Sequence, residues 1–418
     1  MHIRPSTDWT QYATASFIEN FTMPATFLVL GYLEFLPQML KTPSPCLQEA
    51  FLAISTSNLA NISRMRQLQR VSQVHYGEAL QLLGSELNHP STATADETLT
   101  AIVLLQKHEI ISGMKTPLAS PHDAAAAEIV RQRWATQPCS NINDGLHRTV
   151  NAHSIIRALY EPFDDGNSNI QNDYVPNTSS LGSSLWPLLS KASMSRLKLQ
   201  AAVSQISISK CHPGTNFDEA LQSAVDTHSQ LTSWSSSVPS GWTFDTFTLL
   251  QDHGSDEAWF ALKQIHAFKN IQLAALWMIY WCGCIHLVQS LIEGYYIFCT
   301  GYACQPDYNG PVMSERSLRD SLSTFVDKIC SSAPYLLGDI DNNGEVKIGA
   351  ESKGLGAFFL LRGLGTANSV DSLSLYQRHL ILDYLDRIGS AFGIKSASHA
   401  RTRWLASHPA EAELLETL

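Results

Sequence analysis

The chain has 418 residues, of which 44% are hydrophobic and only 16% are Asp, Glu, Lys or Arg, against roughly 25% charged residues in an average soluble domain. That composition excludes global disorder, which goes with few apolar residues and dense charge, and it excludes a collagen repeat or a simple coiled coil. The formal net charge is −10 and the 28 Lys and Arg are scattered; phosphate binding needs clustered cations, so the chain itself is not expected to bind nucleic acid.

The first residues, MHIRPSTDWTQYATASF, have no basic start followed by an apolar run, so no secretory signal is expected. Phe17–Leu40 is apolar and broken by Pro24 and Pro37. Leu47, Ala50, Phe51 and Ile54 give Cys46–Ala60 helical spacing, and Val71, Val74, Ala79, Leu80, Leu83 and Leu87 do the same for Arg70–Leu87. A helix over Thr98–Ser112 is expected to open on a capping box, Thr94 with Glu97, and to close at Gly113. Further helices are predicted over Asp123–Ala135, Val150–Glu161, Leu185–Ile208 and Phe217–Trp234. The polar stretch Asp164–Ser184 reads as a surface loop and Ser235–Gly241 as a turn-rich break.

Glu257–Phe298 is the hydrophobic heart, expected as two consecutive helices or one bent one. Its uncharged run Leu273–Ile292 is long enough to span a bilayer. It holds His286, Gln289 and Ser290 and lacks basic flanks, so a buried core helix is the preferred reading over a membrane span. Ser314–Ser332, Gly354–Leu364 and Ser372–Gly389 complete the helices. No period-two alternation and no fixed repeat is present. The expected fold is all-α, a single large domain of about twelve to fifteen helices.

The eight cysteines, at 46, 139, 211, 282, 284, 299, 304 and 330, form no CxxC pair and no zinc-ligand spacing, which suits a reduced, intracellular protein. No GxSxG, P-loop, HExxH or strand-linked GxGxxG occurs. The nearest approach to a magnesium motif is Phe163-Asp164-Asp165-Gly166-Asn167. It lacks a third acid, and its composition is that of a turn. Asp339–Val346 resembles the first half of an EF-hand loop but has Ala350 where the bidentate Glu belongs, so a polar turn is expected. Lys269, in IHAFKNIQ, could grip an anion or reach out to water. Trp277, Tyr280 and Trp281 could face a cation, though aromatics at helical spacing usually build core.

Several segments together resemble the fungal-specific transcription factor domain, the all-α regulatory region that usually follows a zinc binuclear cluster. They are Tyr76-Gly77-Glu78-Ala79-Leu80, Asp96-Glu97-Thr98-Leu99 through Leu104-Leu105 and Glu109, Ala275-Leu276-Trp277 with Tyr280, Ile329 to Tyr335 with Gly338-Asp339, Gly356 to Leu361, and a last block from Gln377 to Ile394. The likeness covers 45–115 and 245–395. It implies an N-terminal helical segment over 1–44 ahead of a regulatory-type domain over 45–418. Nothing in the sequence resembles the six-cysteine cluster with its basic linker.

Within that likeness the chain also resembles a small group of fungal noncanonical sesquiterpene cyclases of humulene-synthase type. This second resemblance implies a cytoplasmic class I cyclase that ionises farnesyl diphosphate with a pair of magnesium ions. Lys269, four residues after Ile265, would grip the diphosphate. Two or more of Glu109, Asp164 and Asp165 would hold the magnesium, and Ile265, Trp277, Met278, Tyr280 and Trp281 would shape the pocket. The cyclase is the leading expectation at this point. The alternative is a regulatory or interaction protein acting through a partner or a homodimer, and nuclear in location. A deep cavity with inward carboxylates and Lys269 at one end favours the first; a filled core favours the second.

Overall fold

Helix placement follows apolar spacing and end signals. The structure is a computed structural model, and it describes residues 9–24, 31–114, 121–136, 141–160, 181–209, 215–248, 262–302, 314–347 and 353–415. Among these residues there are fifteen α-helices, one short 3-10 turn and one two-stranded antiparallel hairpin, so the fold is all-α. Two compact units are present, and three of the four divisions between them fall inside α7 (Asn141–Tyr160), α12 (Gly354–Asn368) and α13 (Leu375–Ala391).

The first unit comprises Met1–His153, Ser352–Leu361 and Leu382–Leu418. Its centre is α3 (Pro45–Ser63), packed against α1 (Trp9–Phe21), α4 (Arg66–Leu87) and α5 (Asp96–Ser112). Ser44 caps α3 by accepting from the Leu47 N–H at 3.3 Å, and Pro45 takes the first helical position, where its missing N–H costs nothing. Phe17 stacks on Phe21 and meets Phe51 edge-on, which fastens α1 to α3. Asn58 and Asn61 of α3 are buried. Their amides donate to the carbonyls of Phe392, Ile111 and Gly393 at 2.8–2.9 Å, which ties the C-terminal ends of α5 and α13 to α3. α5 is buried without interruption from Thr98 to Ile111, so it is a core helix on all faces. It ends at Gly113, φ +73°, where a Cβ would run into the His399 ring. Around it lie α6 (Pro121–Thr136) and α14 (Lys395–Ser407), with α15 (Pro409–Leu415) on α14.

The second unit comprises Ser154–Glu351 and Arg362–Ile381. α10 (Ile271–Tyr302) runs through it against α8 (Leu181–Ser209), α9 (Thr215–Ser237) and α11 (Glu315–Leu337). The Asn270 side chain caps α10 by accepting from Leu273 N–H at 2.9 Å. α10 is long and apolar enough to cross a membrane, and 72% of its most apolar window is buried in the protein. Arg378 is buried and donates to Asn368 O, Asn368 Oδ1 and Val370 O at 2.7–3.0 Å, which satisfies carbonyls at the end of α12.

Four departures from the sequence reading have physical causes. The expected capping box at Thr94 does not form; Ala95 is the N-cap, without a side-chain bond, and the end of α5 is instead fixed by Arg133 of α6, which bonds Thr94 O and Asp96. The hairpin β1 (Asp245–Thr248) with β2 (Gln264–Ala267) was not expected. Each strand has four residues, and three successive β2 residues are buried, so no alternation marks it. Leu181–Ser184, assigned to the polar loop, is the first turn of α8; the rest of that loop lies outside the described residues. α14 and α15 lie beyond the last predicted helix.

Candidate functional site

Two clusters hold the chemistry-bearing residues, one in each unit. In the second unit, Ile265 is buried on β2, and Trp277, Met278, Tyr280 and Trp281 are buried on α10. The rings close on one another. Trp277 sits 5.8 Å from Trp281, 5.4 Å from Tyr280 and 5.5 Å from Trp234 between ring centres. Phe244 fills the remaining space, 4.5–5.6 Å from His266, Phe268, Trp277 and Trp281. Polar tips are spent on the backbone, Trp277 Nε1 donating to Trp242 O at 2.9 Å and Tyr280 Oη to Leu231 O at 3.2 Å. Met278 lies so close to Gly363 that a Cβ there would overlap its sulfur. These are contacts of packed core. A groove of about 340 Å³ in this unit is lined by Val203, Ile292 and Tyr296 with Glu293, Glu315 and Arg319, and by none of Ile265, Trp277, Met278, Tyr280 and Trp281.

Lys269 is exposed in front of α10, its Nζ over the backbone of Gly241. Of the predicted substrate-shaping residues, Trp277, Tyr280 and Trp281 are therefore brought together and Ile265 and Met278 are buried, while the predicted diphosphate-gripping lysine stands on the surface. The loop over Asp339–Glu345 is a turn: the Asp341 carboxylate accepts from the N–H groups of Asn343 and Glu345 at 2.8 and 2.9 Å. Those bonds hold the Asp341 carboxyl below its ordinary range.

In the first unit a polar seam runs through the apolar centre. Four consecutive residues of α5, Gln106, Lys107, His108 and Glu109, are each at most 3% exposed. α5 has no solvent face there, and three of the four, Lys107, His108 and Glu109, have partners on neighbouring helices. Glu109 accepts from Tyr76 Oη of α4 at 3.2 Å and lies 3.6 Å from His122 Nε2 of α6. His108 stacks on Tyr76 and bonds the Ser72 hydroxyl through Nε2 at 3.1 Å. Lys107 Nζ is 3.2 Å from His153 Nε2 and lies over the rings of Tyr32 and Phe358. His153 Nδ1 in turn is 3.9 Å from Asp123. A cavity of about 10 Å³ lies beside Gln106, His122, Asp123 and His153, enough for one water-sized guest.

Glu109, a predicted magnesium ligand, thus belongs to this seam, in a different unit from Lys269. Asp164 and Asp165 lie outside the described residues. Sequence reasoning missed Lys107, His122, Asp123 and His153. The available signal was QKHE set inside the otherwise apolar helix Thr98–Ile111.

Burial dominates the electrostatics. It pushes the Tyr76 phenol up to about 12, with Glu109 adding to the effect. It pushes the imidazoles of His108, His266 and His286 down to about 4, 4 and 3. An unfolded histidine takes up a proton near pH 6.5; these three refuse it while folded. Between pH 6.5 and about 4 the unfolded chain therefore binds more protons, so the stabilisation is complete above pH 6.5 and is lost as pH falls. Each histidine is expected to withdraw about 3 kcal/mol across that window. Urea midpoints measured from pH 7 to pH 4 should fall steeply; a flat profile contradicts the buried, neutral assignment.

No match was found among curated proteins or among solved structures. Residues 29–181 match the family model described as the fungal specific transcription factor domain. That stretch runs from ahead of α2 (Leu36–Met39) to the first residue of α8, and it holds every seam residue named above except Phe358. Over residues 29–181, then, the chain is similar to the fungal specific transcription factor domain.

Proposed function

We propose that this chain is a regulatory module of the fungal transcription factor type, acting through a protein partner. The observation that carries the reading is the family match over residues 29–181. The geometry supports it over the cyclase. Ile265, Trp277, Met278, Tyr280 and Trp281 are all buried, the three aromatic rings packed on one another, and Lys269 is exposed. The polar seam is likewise a packed interior, where buried hydrogen bonds and ion pairs from Tyr76, Ser72, His122 and His153 hold α5 to its neighbours. A net charge of −10 on few charged residues leaves contact with DNA to another component. On this reading the module works in the nucleus.

Tethering tests this directly. The chain fused to a heterologous DNA-binding domain is expected to change transcription of a reporter carrying the matching operator, relative to the DNA-binding domain alone. An unchanged reporter, with the fusion folded and nuclear, overturns the proposal. In parallel, purified chain with magnesium and farnesyl diphosphate is expected to release no hydrocarbon. A sesquiterpene product lost in Lys269→Ala would restore the cyclase.

A further inference from the structure

Glu49 of α3 and His75 and Glu78 of α4 meet on the surface of the first unit, away from the buried seam. α3 and α4 pack closely along their lengths. His75 and Glu78 are three residues apart, which puts them on one face of α4. Glu49 Oε2 lies 2.6 Å from His75 Nδ1, and one ligand atom from each of the three side chains lies within 4.8 Å of the other two. Two carboxylates at that separation repel each other. Among the described residues neither is paired with a Lys or Arg, and the single imidazole bonds Glu49 with Glu78 close by.

We infer that Glu49, His75 and Glu78 bind one divalent transition-metal ion, of which zinc is the form to test. The donor set decides the class. Magnesium and calcium take oxygen ligands, whereas an imidazole nitrogen with carboxylates suits zinc and its neighbours. Three protein ligands leave a fourth position for water, and Glu78 is exposed, so that position faces solvent. Small movements of the three side chains bring their donor atoms to the roughly 2.0–2.2 Å that zinc requires. On binding, the metal replaces whatever proton bridges His75 Nδ1 and Glu49, and that proton leaves to solvent. Because the ligands come from two helices, the ion fastens α3 to α4.

The experiment is zinc titration by calorimetry into the full chain after removal of metal by chelator. One saturable site per chain is expected. Glu78→Gln should weaken it on the order of tenfold or more, since even loss of an outer-shell partner of a metal ligand costs ~10–100-fold. Glu78 is exposed, so this variant keeps the metal-free fold, with a melting temperature no lower than that of wild type. Zinc should raise the melting temperature of wild type and not of Glu78→Gln. Cobalt in place of zinc should show visible d–d bands without thiolate charge transfer, which excludes the cysteines as ligands. No saturable binding, equal affinity in Glu78→Gln, or a thiolate charge-transfer band would each overturn the site.

Discussion

Asp96→Ala is expected to destabilise the first unit by about 3–5 kcal/mol, because it strips the carboxylate from a buried guanidinium. Arg133 is 2% exposed, and its NH1 donates to Asp96 Oδ1 at 2.8 Å. Burial already pulls the guanidinium below its ordinary range, against the pull of Asp96 in the other direction. The reverse substitution should be milder. Arg133→Met keeps most of the apolar stem and leaves Asp96 28% exposed, at the first position of α5, where the helix dipole favours a negative charge. A loss of about 1–2 kcal/mol is expected there. Urea unfolding of both variants gives the answer. Equal losses, or Arg133→Met as the worse of the two, would contradict the placement of this pair.

The same pair shows what was legible in the sequence. The position of α5 was readable within a few residues, since an apolar run follows Asp96-Glu97 and Gly113 ends it. What fixes its start was not readable. Thr94 and Glu97 have capping-box spacing, but the observed restraint is a long-range bond from Arg133, on another helix. The seam failed to show for a related reason. Polar residues in a row on a helix ordinarily mark a solvent face, and Gln106 to Glu109 are polar because Tyr76, His122 and His153 arrive from other helices. Periodicity reports which residues one helix buries and is silent about what covers them. Lys269 failed in the opposite direction. A lysine beside an aromatic run fits a ligand grip and a solvent-facing helix start equally well, and the structure has the second.

Trp281→Ala should cost about 3–5 kcal/mol, the range for truncating a large aromatic in a packed core. Trp281 is fully buried, and its ring meets Trp277, Phe244 and His266 within 6.3 Å between centres. None of these can collapse far into the vacated space, because each is held by contacts of its own: Trp277 by its bond to Trp242 O, and Phe244 by Phe268 on its other side. A rigid surround leaves the full cavity penalty. Trp281→Phe serves as the control. It keeps a ring in place and removes an indole N–H that has no protein acceptor, so its loss should stay below about 2 kcal/mol. The comparison also separates the two functions the sequence admitted. In an open isoprenoid pocket the tryptophan face would already border empty space, and truncation would alter product while leaving stability nearly unchanged. In a filled core it lowers the urea midpoint of the second unit and leaves no product to alter. A Trp281→Ala chain as stable as wild type would return the aromatic cluster to the cyclase reading.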